Sequence, residues 1–182
     1  MDVPNGVVVV VDNAVSDSRD QKETLLGIQH AISGSGEGVA FGITLVGSSI
    51  RKWPKEGIAF LSTDKKETLG NWIEAQNEGG RDTTSNSKGM LQKAIDEAAA
   101  MKNNQGEPPS AIIVVGQLAD LSKFEETSIK TDIPIHTFAM RRSNRDSWRT
   151  LVEKFRAIAH NSKGQFTVVS RDWIWLYLEE PE

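Results

Sequence analysis

The chain has 182 residues and a net charge of −4, with its 21 basic and 25 acidic side chains interspersed along the length. That suits one domain with a sizeable core and gives no basic field for nucleic acid. With no cysteine, disulfides, zinc–thiolate sites and thiol nucleophiles are excluded.

Other gross features bear on setting. No signal peptide and no stretch of about 18 apolar residues is present, so no membrane insertion is expected. The lack of cysteine fits a reducing cytoplasm. The polar opening MDVPNG enters an apolar run almost at once, as expected of a complete small protein or, the reading favoured, of a domain cut from a longer one with an added methionine.

Val7 to Val11 are five consecutive β-branched residues, the pattern of a central parallel strand buried on both faces. Asp12 follows where such a strand runs out into a loop, and in open α/β sheets that carboxyl edge is where ligands bind. Lys22 to Ser33 carries Leu25, Ile28 and Ile32 at helical spacing, and Ser33-Gly34 ends it. Gly38 to Gly47 and Gly57 to Thr63 read as two strands. The polar segment SSIRKWPKE between them is too short for a crossover helix, so an antiparallel hairpin is expected. Thr63 or Asp64 caps a helix through Leu69, Trp72 and Ile73. The hydroxyl-rich loop EGGRDTTSNSKG leads into a helix with Met90, Leu91, Ala94, Ile95 and Ala98 on one face. Ala111 to Gly116 and Ile133 to Met140 are further strands, and a helix is expected between them. Trp148, Leu151, Val152, Phe155, Ile158 and Ala159 form the apolar stripe of another helix, and KGQFTVVS supplies the last strand.

This alternation predicts an α/β fold: a doubly wound, mostly parallel sheet with helices on both faces and one antiparallel edge strand. Residues 1–170 form the domain. Residues 171–182 are an aromatic-rich tail, RDWIWLYLEEPE, which packs on this domain or joins a neighbouring one.

Enzyme signatures are sparse. There is no G-x-S-x-G elbow, no Walker loop and no H-E-x-x-H. SGSGEG, residues 33–38, follows a helix, whereas a phosphate cradle needs strand then helix. It reads as a helix stop and turn. His30, His136 and His160 lack metal-ligand spacing, and His160 falls in a last helical turn, where positive charge is favourable. Asp12 differs, because loops after the first strand, after Gly116 and before the Met90 helix open on one edge. An oxygen-lined hollow there suits magnesium, which takes carboxylate, hydroxyl and water oxygens.

To about Ser170 the chain resembles a von Willebrand factor A domain, whose element order includes an antiparallel edge strand. The family's metal-ion-dependent adhesion site opens with D-x-S-x-S, and here Asp12-Asn13-Ala14-Val15-Ser16 keeps the acid and the second serine. Its second motif, G-G-T-x-T-G, resembles Thr83-Thr84-Ser85-Asn86-Ser87-Lys88. Counting back from Met90 puts Ser85 at the metal-binding position; counting from Gly79-Gly80 puts Thr83 or Thr84 there. Its third motif, T-D-G, is Val114-Val115-Gly116, with valine for the acid.

The resemblance thus implies a metal set reduced to Asp12, Ser16 and Ser85, with Asn13, Thr83, Thr84, Asp82 and Asp120 nearby. Ala14 removes a direct oxygen ligand and Val115 removes a charge. Unit charges about 4 Å apart at an effective dielectric of about 20 interact by about 4 kcal/mol. Since about 1.4 kcal/mol is tenfold in affinity, Mg2+ is expected to bind weakly or not at all. Asp12 then serves to fasten its loop.

The function implied is a non-catalytic protein–protein interaction module, binding another protein or another domain of a parent protein. One rival is a magnesium-dependent adhesion domain whose partner's acidic side chain completes the coordination. Another is a phosphoryl-transfer or hydrolytic enzyme with Asp12 as nucleophile, though dehalogenase-like enzymes want a second acid where Ala14 stands. Trp53 and Arg51, in the hairpin loop, are candidates for an interaction surface, since exposed tryptophan beside a cation has hot-spot composition. Trp53 alternatively folds over the sheet edge. Trp72 and Trp148 are expected in the core.

Overall fold

The structure, a computed structural model, describes residues 6–12, 18–36, 38–47, 49–78, 90–116, 131–140 and 145–169. In chain order these hold β1 (Val7–Asp12), α1 (Ser18–Ser33), β2 (Ala40–Val46), β3 (Ile50–Trp53) and β4 (Ala59–Phe60). Next come α2 (Thr63–Glu78), α3 (Met90–Ala100), β5 (Ala111–Gly116), β6 (Ile135–Met140), α4 (Arg145–Asn161) and β7 (Phe166–Val169). The helix expected between β5 and β6, the Trp148 side chain and the tail 171–182 lie outside the described residues.

Because β1 is apolar on both sides, it can sit only in the middle of a sheet sandwiched by helices. Val8 and Val10 join one buried layer, with Leu91, Ala94 and Ile95 of α3 and Phe155 and Ile158 of α4. Val9 and Val11 join the other, with Leu25 and Ile32 of α1 and Leu69 and Ile73 of α2. The sheet order is β3-β2-β1-β5-β6-β7, with β4 also on β2. β1 pairs in parallel with both β2 and β5, and β5, β6 and β7 continue in parallel. From β1 the chain steps outward to β2 and β3, then returns to β5 on β1's other side. That reversal makes the carboxyl ends of β1 and β5 a topological switch point.

The edge differs from expectation. The hairpin partner of β2 is β3, inside the segment read as a polar connection, with Ile43 opposite Trp53 and Val46 opposite Ile50. Gly57 to Thr63 contributes only the two-residue β4, which pairs with Ala40 and Phe41 at the start of β2. Two short antiparallel strands thus share one edge position, end to end, where one was expected. Polarity disguised β3: in Ile-Arg-Lys-Trp the basic heads meet partners on the helices of the two faces, Gln76 of α2 and Glu97 of α3.

Smaller shifts have local causes. α1 starts at Ser18, ahead of Lys22. Ser62, not Thr63 or Asp64, caps α2, its Oγ accepting from the Lys65 amide at 3.3 Å. The SGSGEG turn is a helix stop, as expected. The Gly34 amide donates to the His30 carbonyl at 3.1 Å, and Lys66 Nζ donates to the Ser35 carbonyl at 2.6 Å. At the far edge Gly164 passes so close to the Ile135 backbone that a Cβ there would overlap the Ile135 carbonyl.

One buried group runs against the pattern. Thr44 lies mid-strand in β2, fully buried, and its hydroxyl has no hydrogen-bond partner among the described residues. An unpaired buried hydroxyl costs about 1–3 kcal/mol. Thr44→Val, nearly isosteric, is therefore expected to raise stability by about 1 kcal/mol, or about 2–4 °C in Tm for a domain of this size. Thermal and urea unfolding measure it; a fall in Tm would mean that the hydroxyl is satisfied by bound water.

Candidate functional site at the carboxyl edge

Asp12 is the last residue of β1 and is 1% exposed. Alternation puts it on the same side as Val8 and Val10, towards α3. Its partner on β2 is Val46. On β5, Val11 is level with Val115, so the next residue in register, level with Asp12, is Gly116. Val115 packs with Val11 into the α1/α2 layer, facing away from the Asp12 side. Among the described residues Asp12 is therefore the sole carboxylate at the ends of β1, β2 and β5. It takes part in a noncovalent interaction and is not a free charge, consistent with the cost of burying an unpaired carboxylate.

The other expected site residues, Asn13, Ser16, Asp82, Thr83, Thr84, Ser85 and Asp120, lie outside the described residues. The roots of their segments are nonetheless placed. β1 ends immediately before Asn13, and β5 ends immediately before residues 117–130. α3 runs back against the strands, and its far end meets the opposite edge: the Lys102 carbonyl accepts from the Ile58 amide at 3.0 Å. Eleven helical residues span about 16 Å at about 1.5 Å each, much as a typical strand does. Met90, and with it the exit of segment 79–89, is thus returned to the carboxyl edge. All three segments that carry the motif residues are rooted at one edge.

Trp53 requires a correction. It is 8% exposed and packs in the α1/α2 layer with Ile43 and Leu45, so its indole offers no surface for a partner. Alternation decides this: Trp53 and Arg51 point to the α2 face, Ile50 and Lys52 to the α3 face. Arg51 is half-buried, and its Nη1 donates to Gln76 Oε1 at 2.6 Å, in the last turn of α2. Lys52 Nζ pairs with Glu97 Oε2 of α3 at 2.9 Å. Sequence reading missed Lys52, Gln76 and Glu97; the signal available was the period-two pattern of Ile-Arg-Lys-Trp itself.

The histidines are apart, as their spacing implied. His30 and His160 are exposed in last helical turns, and His136 Nδ1 accepts from the Gln165 amide at 3.3 Å. Among the described residues no three histidines or carboxylates cluster as a metal site would require, and no helix is long and apolar enough to cross a membrane.

No family model and no curated protein sequence matches the chain. Solved structures do. A von Willebrand factor type A protein from Catenulispora acidiphila superposes with a TM-score of 0.60 at 11% identity, over 91% of this chain and 39% of its own. The pilus adhesin SpaC from Lactobacillus rhamnosus GG, in its open conformation, gives 0.64 at 10% identity, over 98% and 29%. Proximal thread matrix protein 1 from the mussel byssus, with a zinc-occupied MIDAS motif, gives 0.58 at 11%, over 94% and 43%. This chain therefore spans well under half the length of each of these three. At such identities the likeness is one of fold, and the fold is that of von Willebrand factor A domains.

Asp12→Ala removes a buried, engaged carboxylate from the root of a loop. It is expected to lower stability by about 1–3 kcal/mol with no change of fold, measured by urea unfolding alongside circular dichroism. Stability unchanged within about 0.5 kcal/mol would mean that Asp12 fastens nothing.

Proposed function

We propose that this chain, with its von Willebrand factor A fold, is a non-catalytic protein-interaction module that engages its partner through the carboxyl edge of the sheet. Partner here means another protein or another domain of a parent protein. The observation that supports this best is the convergence of three segments on an edge whose strand ends carry one carboxylate among the described residues. Surface assembled from several loops on a rigid sheet is well suited to recognition, because loop residues can vary while their roots stay fixed.

The same geometry bears on metal. A divalent cation at this edge would have Asp12 beside it, while Val115 at the third motif is turned into the opposite layer. With valine in place of the third motif's acid, tight binding of a doubly charged ion is not expected, so the proposed module works without one, and Asp12 acts as a loop fastener. The second reading, metal-dependent adhesion, is favoured by the retained buried acid and by the zinc-occupied motif of the byssus protein.

Calorimetric titration of magnesium, then manganese, into chelator-stripped protein separates the two. No binding tighter than about a millimolar is expected, and Asp12→Ala should behave like the wild type in this assay. Tighter binding that disappears in Asp12→Ala would transfer the chain to the adhesion reading.

A further inference from the structure

The two edges of the sheet are defended differently. β3 and β4 divide one of them; β7 ends the strand order at the other, and no described residue pairs with its outer side. Its sequence, Phe-Thr-Val-Val, holds no charge and no proline to guard a ladder. One hydrogen bond fixes the direction of its backbone groups. The Thr137 amide of β6 donates to the Gln165 carbonyl at 2.8 Å, with Thr137 level with Phe166. In a parallel pair such bonds go to alternate residues, so Gln165, Thr167 and Val169 turn theirs to β6. The amides and carbonyls of Phe166 and Val168 point away from it. Val168 is 45% exposed, and its side chain shares a face with Phe166, the face on which α4 packs.

Charge sets this edge apart from the rest of the chain. Residues 154–169 carry Lys154, Arg156 and Lys163 and no acid, in a protein whose net charge is −4. Two of these cations lie beside the start of the strand. The exposed Arg156 guanidinium is 5.4 Å from the centre of the Phe166 ring, and Lys163 is exposed in the turn that leads from α4 into β7.

We propose that β7 is a docking site in its own right, which takes an extended, acidic segment of a partner protein as an additional strand. Main-chain bonds to Phe166 and Val168 supply the pairing, and acidic side chains at the end of the segment beside Lys163 meet Lys163 and Arg156. A second copy of this chain fits worse, because two β7 strands side by side would bring the same cations together. The site uses none of the loops at the carboxyl edge, so it stands or falls separately from them.

The test is nuclear magnetic resonance on the isotope-labelled full chain, titrated with a synthetic peptide of about ten residues. Its middle alternates valine and threonine, and paired glutamates flank it; a matched peptide has lysines in their place. The acidic peptide is expected to shift the amides of Phe166, Thr167 and Val168 and of β6, with a Kd below about a millimolar. The lysine peptide, and the acidic peptide on Lys163→Glu, should each bind about fivefold more weakly or worse. Val168→Pro removes an outward amide and should abolish binding with β6 undisturbed. Shifts confined to other strands, or equal binding of the two peptides, would overturn the proposal. So would concentration-dependent shifts at Phe166 to Val168 without peptide, the mark of a second copy. No shift with either peptide, the mark of an edge closed by the chain itself, would overturn it too.

Discussion

Burial of β1 on both faces is the constraint from which the rest of the architecture follows. A strand apolar on one side can face water; Val8 to Val11 cannot, being at most 6% exposed. Each buried valine contributes about 1.5–3 kcal/mol relative to exposure, comparable to the backbone entropy lost on ordering its residue. The strand is therefore worth forming only where both its neighbours and both helical layers are present. Two parallel neighbours require crossover connections, and these supply helices to the two faces. Central position, parallel pairing and a doubly covered sheet are one requirement seen three ways. The switch point between β1 and β5 comes with it, because a central first strand must have the chain leave on one side and return on the other.

Asp12 inherits its character from that position. Any residue ending a central strand lies between two other strand ends and beneath a returning helix, so even a charged one is buried. A carboxylate held there is costly unless it is engaged. Asp12 is accordingly engaged in a noncovalent interaction. Parity does the rest. Val115 is one residue out of step with Asp12 across the β1–β5 pair, so its side chain belongs to the other layer.

Much of this was legible in the sequence, for reasons that can be named. The runs Val7–Val11 and Ala111–Gly116 are continuous and short, and α3 and α4 have clean apolar stripes, so core and element type were readable from pattern. β3 was not, because each of its central residues is basic and its role depends on partners, Gln76 and Glu97, far along the chain. Trp53 was ambiguous for the same reason: its neighbours in sequence are polar while its neighbours in space, Ile43 and Leu45, are apolar. Of the candidate site, Asp12 and the convergence of loop roots were legible from topology. That the Thr44 hydroxyl has no partner among the described residues had no sequence signal, since threonine between Ile43 and Leu45 is ordinary for a strand.

The divided edge has one more consequence. An edge strand that is long, flat and apolar displays a ladder of free amides and carbonyls on which another chain can polymerise. Here that ladder is cut into pieces of four and two residues, β3 and β4. Pro54, which has no amide to offer, follows β3 directly, and Arg51 and Lys52 lie within it. A strand approaching from outside would find no register longer than a few residues and two positive charges to desolvate. The edge that β3 and β4 form beside β2 thus does not invite fibrous self-assembly.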